Sequence, residues 1–390
     1  MKILLMADVA ANPDSGAAGT EYQTVDALRR LGHEVDAVWE DSLPHRVSHG
    51  NFHYLVELPF AYRRVMLERM QQVRYDIVHV NQPHGYFAAK ALNARKDCPV
   101  FVHRSHGLEL RVNRDLVAWQ TIYEPGDKRP WVRRQASRLV TQLLERHTKE
   151  IVKYADGHIV SAGECAQFLI NELDVSSRRI AVIPQAAPSA YLNRPALPMT
   201  KERLSRLLYV GQYAYVKAPM IVAAAINEIV NLNDDVEVTW VTSKSAHSEV
   251  TGLLSEIARG RVTLLDWMTQ AELINVYDNH GVFLFPSFFE GFGKAFLEAM
   301  ARGLCVVAAN NGGARDIIIH EKNGFLVPTG DITQMTKICV DLFKSFDPAQ
   351  SISQQAASRA REYSWHRVAC ETVAFYESLI EARKQCPAPS

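Results

Sequence analysis

Cysteine is scarce and scattered: Cys98, Cys165, Cys305, Cys339, Cys370 and Cys386 are the six in 390 residues, and no two form a C-x-x-C pair. That pattern excludes a disulfide frame and a cysteine-built zinc site, and it fits free thiols in a reducing compartment. Net charge is also missing. Forty-three basic residues balance forty-three acidic ones, so bulk charge gives no reason to expect nucleic-acid binding. No apolar run approaches the eighteen or more residues of a spanning helix. The few apolar residues between Lys2 and Asp8 are too short for a secretory core. A cytoplasmic protein is expected. Three catalytic signatures are absent too. There is no G-x-x-x-x-G-K-[ST], no H-E-x-x-H and no D-x-D, so neither a P-loop nor a tightly held catalytic metal is indicated. Gly291-x-Gly293 is followed by Phe296 where a dinucleotide fingerprint needs a small residue, which argues against a nicotinamide or flavin cofactor.

What is present is ordinary globular composition, 47% hydrophobic and 22% charged, at a length that suits two domains. Short apolar strands alternate with helices from Lys2 to about residue 183. Examples are KILLMA at 2–7 and DIVHV at 76–80. The segment between Pro184 and Thr200, QAAPSAYLNRPALPMT, with three prolines and no periodicity, reads as a linker. Alternation restarts at 206–210 and runs through helix 218–231, strand 236–242, helix 270–278 and strand 282–285. Helix 332–345, capped by Asp331 with Gln334, and helices near 349–362 and 366–384 complete it. This pattern predicts an α/β fold of two doubly wound parallel-sheet domains, 1–190 and 201–362. The final stretch, 363–390, is expected to pack back on the first domain. Two such domains suggest a cleft between them, and ligands of such sheets sit beyond the carboxyl ends of strands.

Around Phe283–Arg302 (FLFPSFFEGFGKAFLEAMAR) a strand, a glycine-bearing turn and a helix follow one another. Free N–H groups and the positive end of a helix dipole meet there, which is an anion site. Glu290 and Glu298 flank it. Their structural readings are an acidic residue near a helix start and an i,i+4 partner for Lys294. Elsewhere, Gly16 and Gly19 follow the first strand, His106-Gly107 follows the strand near 100–102, and Lys217 precedes a helix after GQYAYV. Each alone is equally a surface turn, a solvated loop histidine or an exposed lysine. Residues 128–153 form a basic amphipathic helix with an apolar series at Val132, Ala136, Leu139, Val140, Leu143 and Leu144. Its stripe is expected in the core, with an anionic membrane surface as the other reading.

Together these pieces resemble family 4 of the retaining glycosyltransferases, which have the GT-B fold: two Rossmann-like domains facing across a cleft. The segment EGFGKAFLEAMA carries that family's Glu-x7-Glu hallmark at Glu290 and Glu298. Weaker support comes from Gly32-His33-Glu34-Val35, His106-Gly107, DGHIVS at 156–161 and NGFLV at 323–327. The resemblance implies a nucleotide-sugar donor held by the second domain and an acceptor by the first. It implies that Glu290 holds sugar hydroxyls and Glu298 the ribose. Backbone N–H groups of Gly291, Phe292, Gly293 and Lys294 would reach the sugar and diphosphate. Lys217, with Gln212 in the same segment, would meet the diphosphate, and Leu265 would lie near the base. His106 would sit beside the transferring sugar, and the Gly16 and Gly19 loop under the phosphates. His106, Glu290 and Lys217 are thus the catalytic candidates. No metal or other cofactor is expected, because a lysine and a helix N-terminus take up the leaving-group charge.

The chain departs from the family pattern at Gln212, where arginine is common, at Ala218, where glycine follows the lysine, and at Gln185-Ala186, Asp266 and Asp316. The resulting expectation is a hexosyltransferase, UDP-sugar favoured, acting on a polysaccharide or glycolipid hydroxyl. A sugar-nucleotide epimerase of similar architecture and a non-catalytic nucleotide-binding scaffold are the alternatives.

Overall fold

A computed structural model describes residues 1–13, 17–47, 50–94, 98–123 and 131–385. The chain divides into two compact units. One is Met1–Pro184 together with the C-terminal stretch from Trp365, and the other is Gln185–Ser364.

The first unit is built on six parallel strands: β1 (Lys2–Met6), β2 (Glu34–Val38), β3 (Ile77–Asn81), β4 (Val100–Ser105), β5 (Gly157–Val160) and β6 (Ile180–Val182). Their order across the sheet is β2-β1-β3-β4-β5-β6. The second unit repeats the plan with β7 (Arg206–Val210), β8 (Glu237–Val241), β9 (Val262–Leu265), β10 (Val282–Phe285), β11 (Cys305–Ala309) and β12 (Phe325–Val327). Its order is β12-β11-β10-β7-β8-β9. Strands β10 and β11 of the second unit are continuous apolar runs because helices cover both faces. Every residue of β10 (VFLF) and β11 (CVVAA) is buried, as the interior of a parallel sheet requires. At about 1.5–3 kcal/mol for each large apolar side chain withdrawn from water, these runs dominate the stability of each unit.

Sheet order reverses between β1 and β3 in the first unit and between β7 and β10 in the second. Those are the switch points beyond which ligands of such sheets bind. The segment after β7 carries Lys217, and the segment after β10 carries Glu290.

The C-terminal helix Trp365–Gln385 belongs to the first unit, where it packs on helix Ala17–Arg30. Arg367 donates to the Pro184 carbonyl at 2.6 Å, and Arg383 donates to the carbonyls of Cys98 and Pro99 at 2.8 and 2.9 Å.

The structure differs from the sequence reading in four places. Residues 185–200 are not a free linker. Ala186, Ala187, Tyr191 and Met199 are buried. Arg203 and Arg302, both buried, donate to main-chain carbonyls of this segment: Arg203 to Leu197 at 2.6 Å and Pro198 at 2.9 Å, Arg302 to Tyr191 at 3.2 Å and Pro195 at 2.8 Å. The prolines mark a strap seated on the second unit. Second, a helical stretch from Gly50 to Gln72, with a π-helical turn at His53–Glu57, and the helix Glu109–Tyr123 carry no clear sequence signal. Third, the basic helix, Trp131–Tyr154, does not place its whole apolar stripe in the core. Among its described side chains, which leave out Val132 and the predicted residues 128–130, the buried ones begin at His147, while Trp131 and Leu139 are 66% and 57% exposed. Fourth, an 18-residue window at Tyr215–Leu232 does reach a membrane-like mean hydropathy of 1.2. Left-handed Ala218 and Pro219 start the helix late, so it has 14 residues. That is about 21 Å at 1.5 Å per residue, against roughly 30 Å of hydrocarbon. Its apolar faces pack on helices Ile332–Lys344 and Glu256–Arg259.

Candidate functional site

In the second unit, Lys217 Nζ lies 2.6 Å from Glu290 Oε1. The Glu290 side chain is almost fully buried, whereas Lys217 keeps about a quarter of its surface. The contact is set by the turns around it. Phe288 donates its N–H to the Val216 carbonyl at 3.0 Å, tying the segment after β10 to the segment after β7. Asn311 donates to the Ser287 carbonyl at 2.8 Å. Two glycines make room for Glu290. A Cβ on Gly293 would stand 2.5 Å from the Phe285 ring and 3.2 Å from the Glu290 carboxyl carbon, and one on Gly312 would stand 2.7 Å from Glu290 Cβ. Both have positive φ, +86° and +57°, where a side chain is disfavoured anyway. Gly293 of EGFG and Gly312 of NNGG are therefore packing requirements around one carboxylate.

Gly293 is the N-cap of helix Lys294–Ala301, whose first N–H groups and dipole favour negative charge at this end. Gly291 is half-buried. The Phe292 ring packs in the core against Phe296, and the Phe292 carbonyl accepts from Gly313 N at 3.0 Å. Only the backbone of Phe292 can therefore face a ligand. Glu298 accepts from the Tyr277 hydroxyl at 3.3 Å. Burial pushes its carboxyl up, partly offset by Lys294 and by Tyr277. Leu265 ends β9, half-buried. The neighbouring Asp266 is locked as an acceptor of the Lys244 and Trp267 N–H groups at 2.9 and 2.8 Å. Gln212 is exposed after β7.

In the first unit, Gly16 lies outside the described residues, and Gly19 is buried within helix Ala17–Arg30. His106 follows β4 in a turn whose shape comes from Ser105. The Ser105 hydroxyl accepts from Leu108 N at 2.8 Å, and Leu108 adopts a left-handed φ of 51°. His106 Nε2 then stands 2.8 Å from Oε1 of Glu21, a fully buried residue of helix Ala17–Arg30. Arg104, also fully buried, brings Nε to 3.8 Å from the same oxygen and donates through Nη1 to Thr24 Oγ1 at 3.0 Å. Burial alone would push the Glu21 carboxyl up. Arg104 and His106 outweigh it and bring it down to about 2. His79 on β3 is paired through Nδ1 with the hydroxyl of Tyr376, from the C-terminal helix. Burial lowers its pKa to about 4 against the pull of Glu21.

The structure thus brings Lys217, Glu290 and the start of helix Lys294–Ala301 together in one unit and gives His106 a buried carboxylate partner in the other. Sequence reasoning missed Glu21 and Arg104. A usable signal for Arg104 was a charge inside the apolar run VFVHRS. For Glu21 it was only a place one turn into helix Ala17–Arg30.

A model of Glycosyltransferase Family 4 matches residues 15–188, and a model of Glycosyl transferases group 1 matches residues 205–345. Between them they take in well over half of the chain, one model per unit. The chain is a GT-B glycosyltransferase of the family 4 type. A D-inositol 3-phosphate glycosyltransferase of Corynebacterium jeikeium is 26% identical to it over 336 residues, 80% of this chain and 75% of the relative. Among solved structures, sucrose-phosphate synthase of Thermosynechococcus elongatus has a TM-score of 0.72 at 20% identity, covering 98% of this chain and 99% of the other. Anabaena HepE, in complex with UDP and glucose, has a TM-score of 0.70 at 15% identity, covering 97% of this chain and 100% of the other. At these identities the structural likeness speaks for the α/β GT-B fold of the glycosyltransferase and no further.

Proposed function

We propose that this glycosyltransferase moves a hexose from a nucleotide sugar, UDP-linked by preference, to a hydroxyl of a polysaccharide or glycolipid, with retention and without a metal. The observation that carries the reading is the Lys217–Glu290 pair at the start of helix Lys294–Ala301. Loss of a nucleoside diphosphate develops negative charge on its oxygens. A lysine with a quarter of its surface exposed can leave its carboxylate for that charge, and the helix N-terminus supports it, so no metal is needed in this scheme. Glu290, released from the lysine, becomes an acceptor for sugar hydroxyls. Glu298, already an acceptor toward Tyr277, has a lone pair for ribose. His106 acts beside the transferring sugar. A HepE complex holding UDP and glucose supports the donor class. The exposed Trp131 and Leu139, with Arg133, Arg138 and Arg146 on the same helix, suit peripheral contact with an anionic membrane carrying the acceptor.

The test is incubation with UDP-glucose, UDP-galactose, UDP-N-acetylglucosamine and GDP-mannose, reading nucleotide release and sugar transfer by mass spectrometry. Turnover of at least one UDP-sugar is expected. Absence of both binding and turnover with all four overturns the proposal.

A further inference from the structure

We infer that Glu21 is the positioning residue for His106. It fixes which ring nitrogen carries the proton and the direction in which the imidazole is presented, and the inference rests on the transfer reading above. Four observations carry it. Glu21 has no exposed surface, so its carboxylate has no role toward solvent. It faces His106 Nε2 in an ion-pair contact of 2.8 Å, while the His106 ring stays at the surface of the unit with 14% of its side chain exposed. Arg104 supplies the compensating charge from behind, with Nε 3.8 Å from the same oxygen, and is itself held by Thr24. The turn that carries His106 is fixed independently by the Ser105 hydroxyl.

A carboxylate can only accept. Nε2 must therefore be the protonated nitrogen facing Glu21, and in the neutral ring Nδ1 holds the lone pair. Buried carboxylates that orient a catalytic imidazole in this way leave substrate binding largely intact and act on the chemical step, because they select tautomer and direction. A residue that only stabilised the fold would change the amount of active protein and not the tautomer. The same carboxylate acts electrostatically on His79 and Tyr376, so the C-terminal helix belongs to the support of this group.

The experiment has two readouts on the full chain. In 15N-labelled wild-type protein, with the His106 signals assigned by their loss in His106→Asn, the ring is expected as the Nε2–H tautomer. An Nδ1–H ring overturns the inference whether or not the enzyme turns over any sugar. In steady-state assays with whichever donor the panel identifies, Glu21→Gln is expected to lower kcat about 100-fold with donor KM changed less than threefold. Glu21→Asp keeps the charge that Arg104 requires but withdraws the oxygen by one methylene, and it is expected to lose about 10-fold. If Glu21→Gln does not fold, Glu21→Asp alone decides: wild-type kcat overturns the inference. A wild-type enzyme without turnover breaks the functional proposal instead and leaves the tautomer measurement standing.

Discussion

Each unit sets an ionic pair just beyond the carboxyl ends of its central strands, and the two pairs are built in opposite ways. Glu21 and His106 form a closed pair, with the carboxylate wholly buried and a second cation, Arg104, locked behind it. Lys217 and Glu290 form an open pair, the carboxylate buried but the lysine a quarter exposed on a short turn. A charge buried and doubly paired cannot exchange partners without a large desolvation cost. A lysine at the edge of a site can trade one anion for another at little cost, because its ammonium stays near water throughout. The closed pair is suited to hold a group still. The open pair is suited to receive a charged ligand.

The largest effect that tests this contrast is loss of the open pair. Lys217→Ala is expected to lower turnover 10²–10³-fold, about 2.7–4 kcal/mol, the range for removing one preorganised charge donor. Donor affinity, read by calorimetry with UDP, falls with it. Glu290→Ala is expected to spare UDP affinity and reduce turnover, because it frees Lys217 and removes a contact to the sugar. Equal UDP affinity in wild type and Lys217→Ala would remove the open-pair model.

Acid should separate the units next. Glu21 titrates at about 2 in the folded protein against an ordinary 4.5. Its ionised form belongs to the folded state, so its contribution is complete above pH 4.5 and is lost as pH falls toward 2. At 1.36 kcal/mol per pH unit that is about 3 kcal/mol. His79 and His158, buried and lowered to about 4 and about 3, act in the same sense. They are neutral in the fold, and stability is lost as pH drops from 6.5 toward those values. In the second unit His280, lowered to about 4 by burial, does likewise. Glu298 opposes it: its raised carboxyl makes protonation favour the fold, so falling pH relieves a penalty there. Hydrogen exchange by mass spectrometry from pH 6 to pH 3.5, corrected for intrinsic rates, should show β1, β3 and β4 opening before β7, β10 and β11. Simultaneous opening, or the reverse order, contradicts the closed-pair account.

The elements that were legible in the sequence are those whose burial dictates composition. RLLYV at 206–210, VFLF at 282–285 and helix 270–278 were bounded as the structure has them, because buried parallel strands must be apolar throughout and Thr269 caps the helix with Glu272. The stretch 50–72 escaped because Phe52, Tyr54, Val56 and Phe60 face outward, which blurs the helical periodicity. The candidate site was legible only in its second half. EGFGKAFLEAMA is contiguous, so one stretch carries Glu290, the helix start and Glu298. Glu21 lies on the helix after β1, whereas Arg104 and His106 lie at the end of β4, and only the β1-β3-β4 register brings the two places together. Gln185–Thr200 was read by its prolines, while the arginines that anchor it lie outside the segment.

A smaller effect separates the two ends of helix Trp131–Tyr154. Its C-terminal part is anchored in the core by His147, Thr148, Ile151 and Val152. The double variant Trp131→Ser, Leu139→Ser should therefore leave the melting temperature within about 1 °C, as surface changes do. Partitioning to vesicles of 30% anionic lipid should fall about 10-fold, consistent with losing two interfacial apolar side chains. Unchanged partitioning in a sedimentation assay would assign that surface another role.

The smallest effect lies on the open pair's own turn. Ala218, next to Lys217, is fully buried with φ 52° and ψ 52°. An alanine there carries a left-handed strain of about 1–2 kcal/mol. Ala218→Gly relieves that strain. It also gives up a buried methyl, about 0.8 kcal/mol, and adds about 0.4–1 kcal/mol of unfolded-state entropy. The sum lies within about 0.8 kcal/mol of zero, so denaturant midpoints of the two proteins should nearly coincide. UDP affinity should hold as well, because the Lys217 N–H bond to Ala214 and the Phe288 bond to Val216 that shape the turn are main-chain contacts. A loss above 1.5 kcal/mol would show that the methyl is a packing element of the site. Coincident midpoints with a tenfold change in UDP affinity would show that the strain itself holds Lys217 toward Glu290.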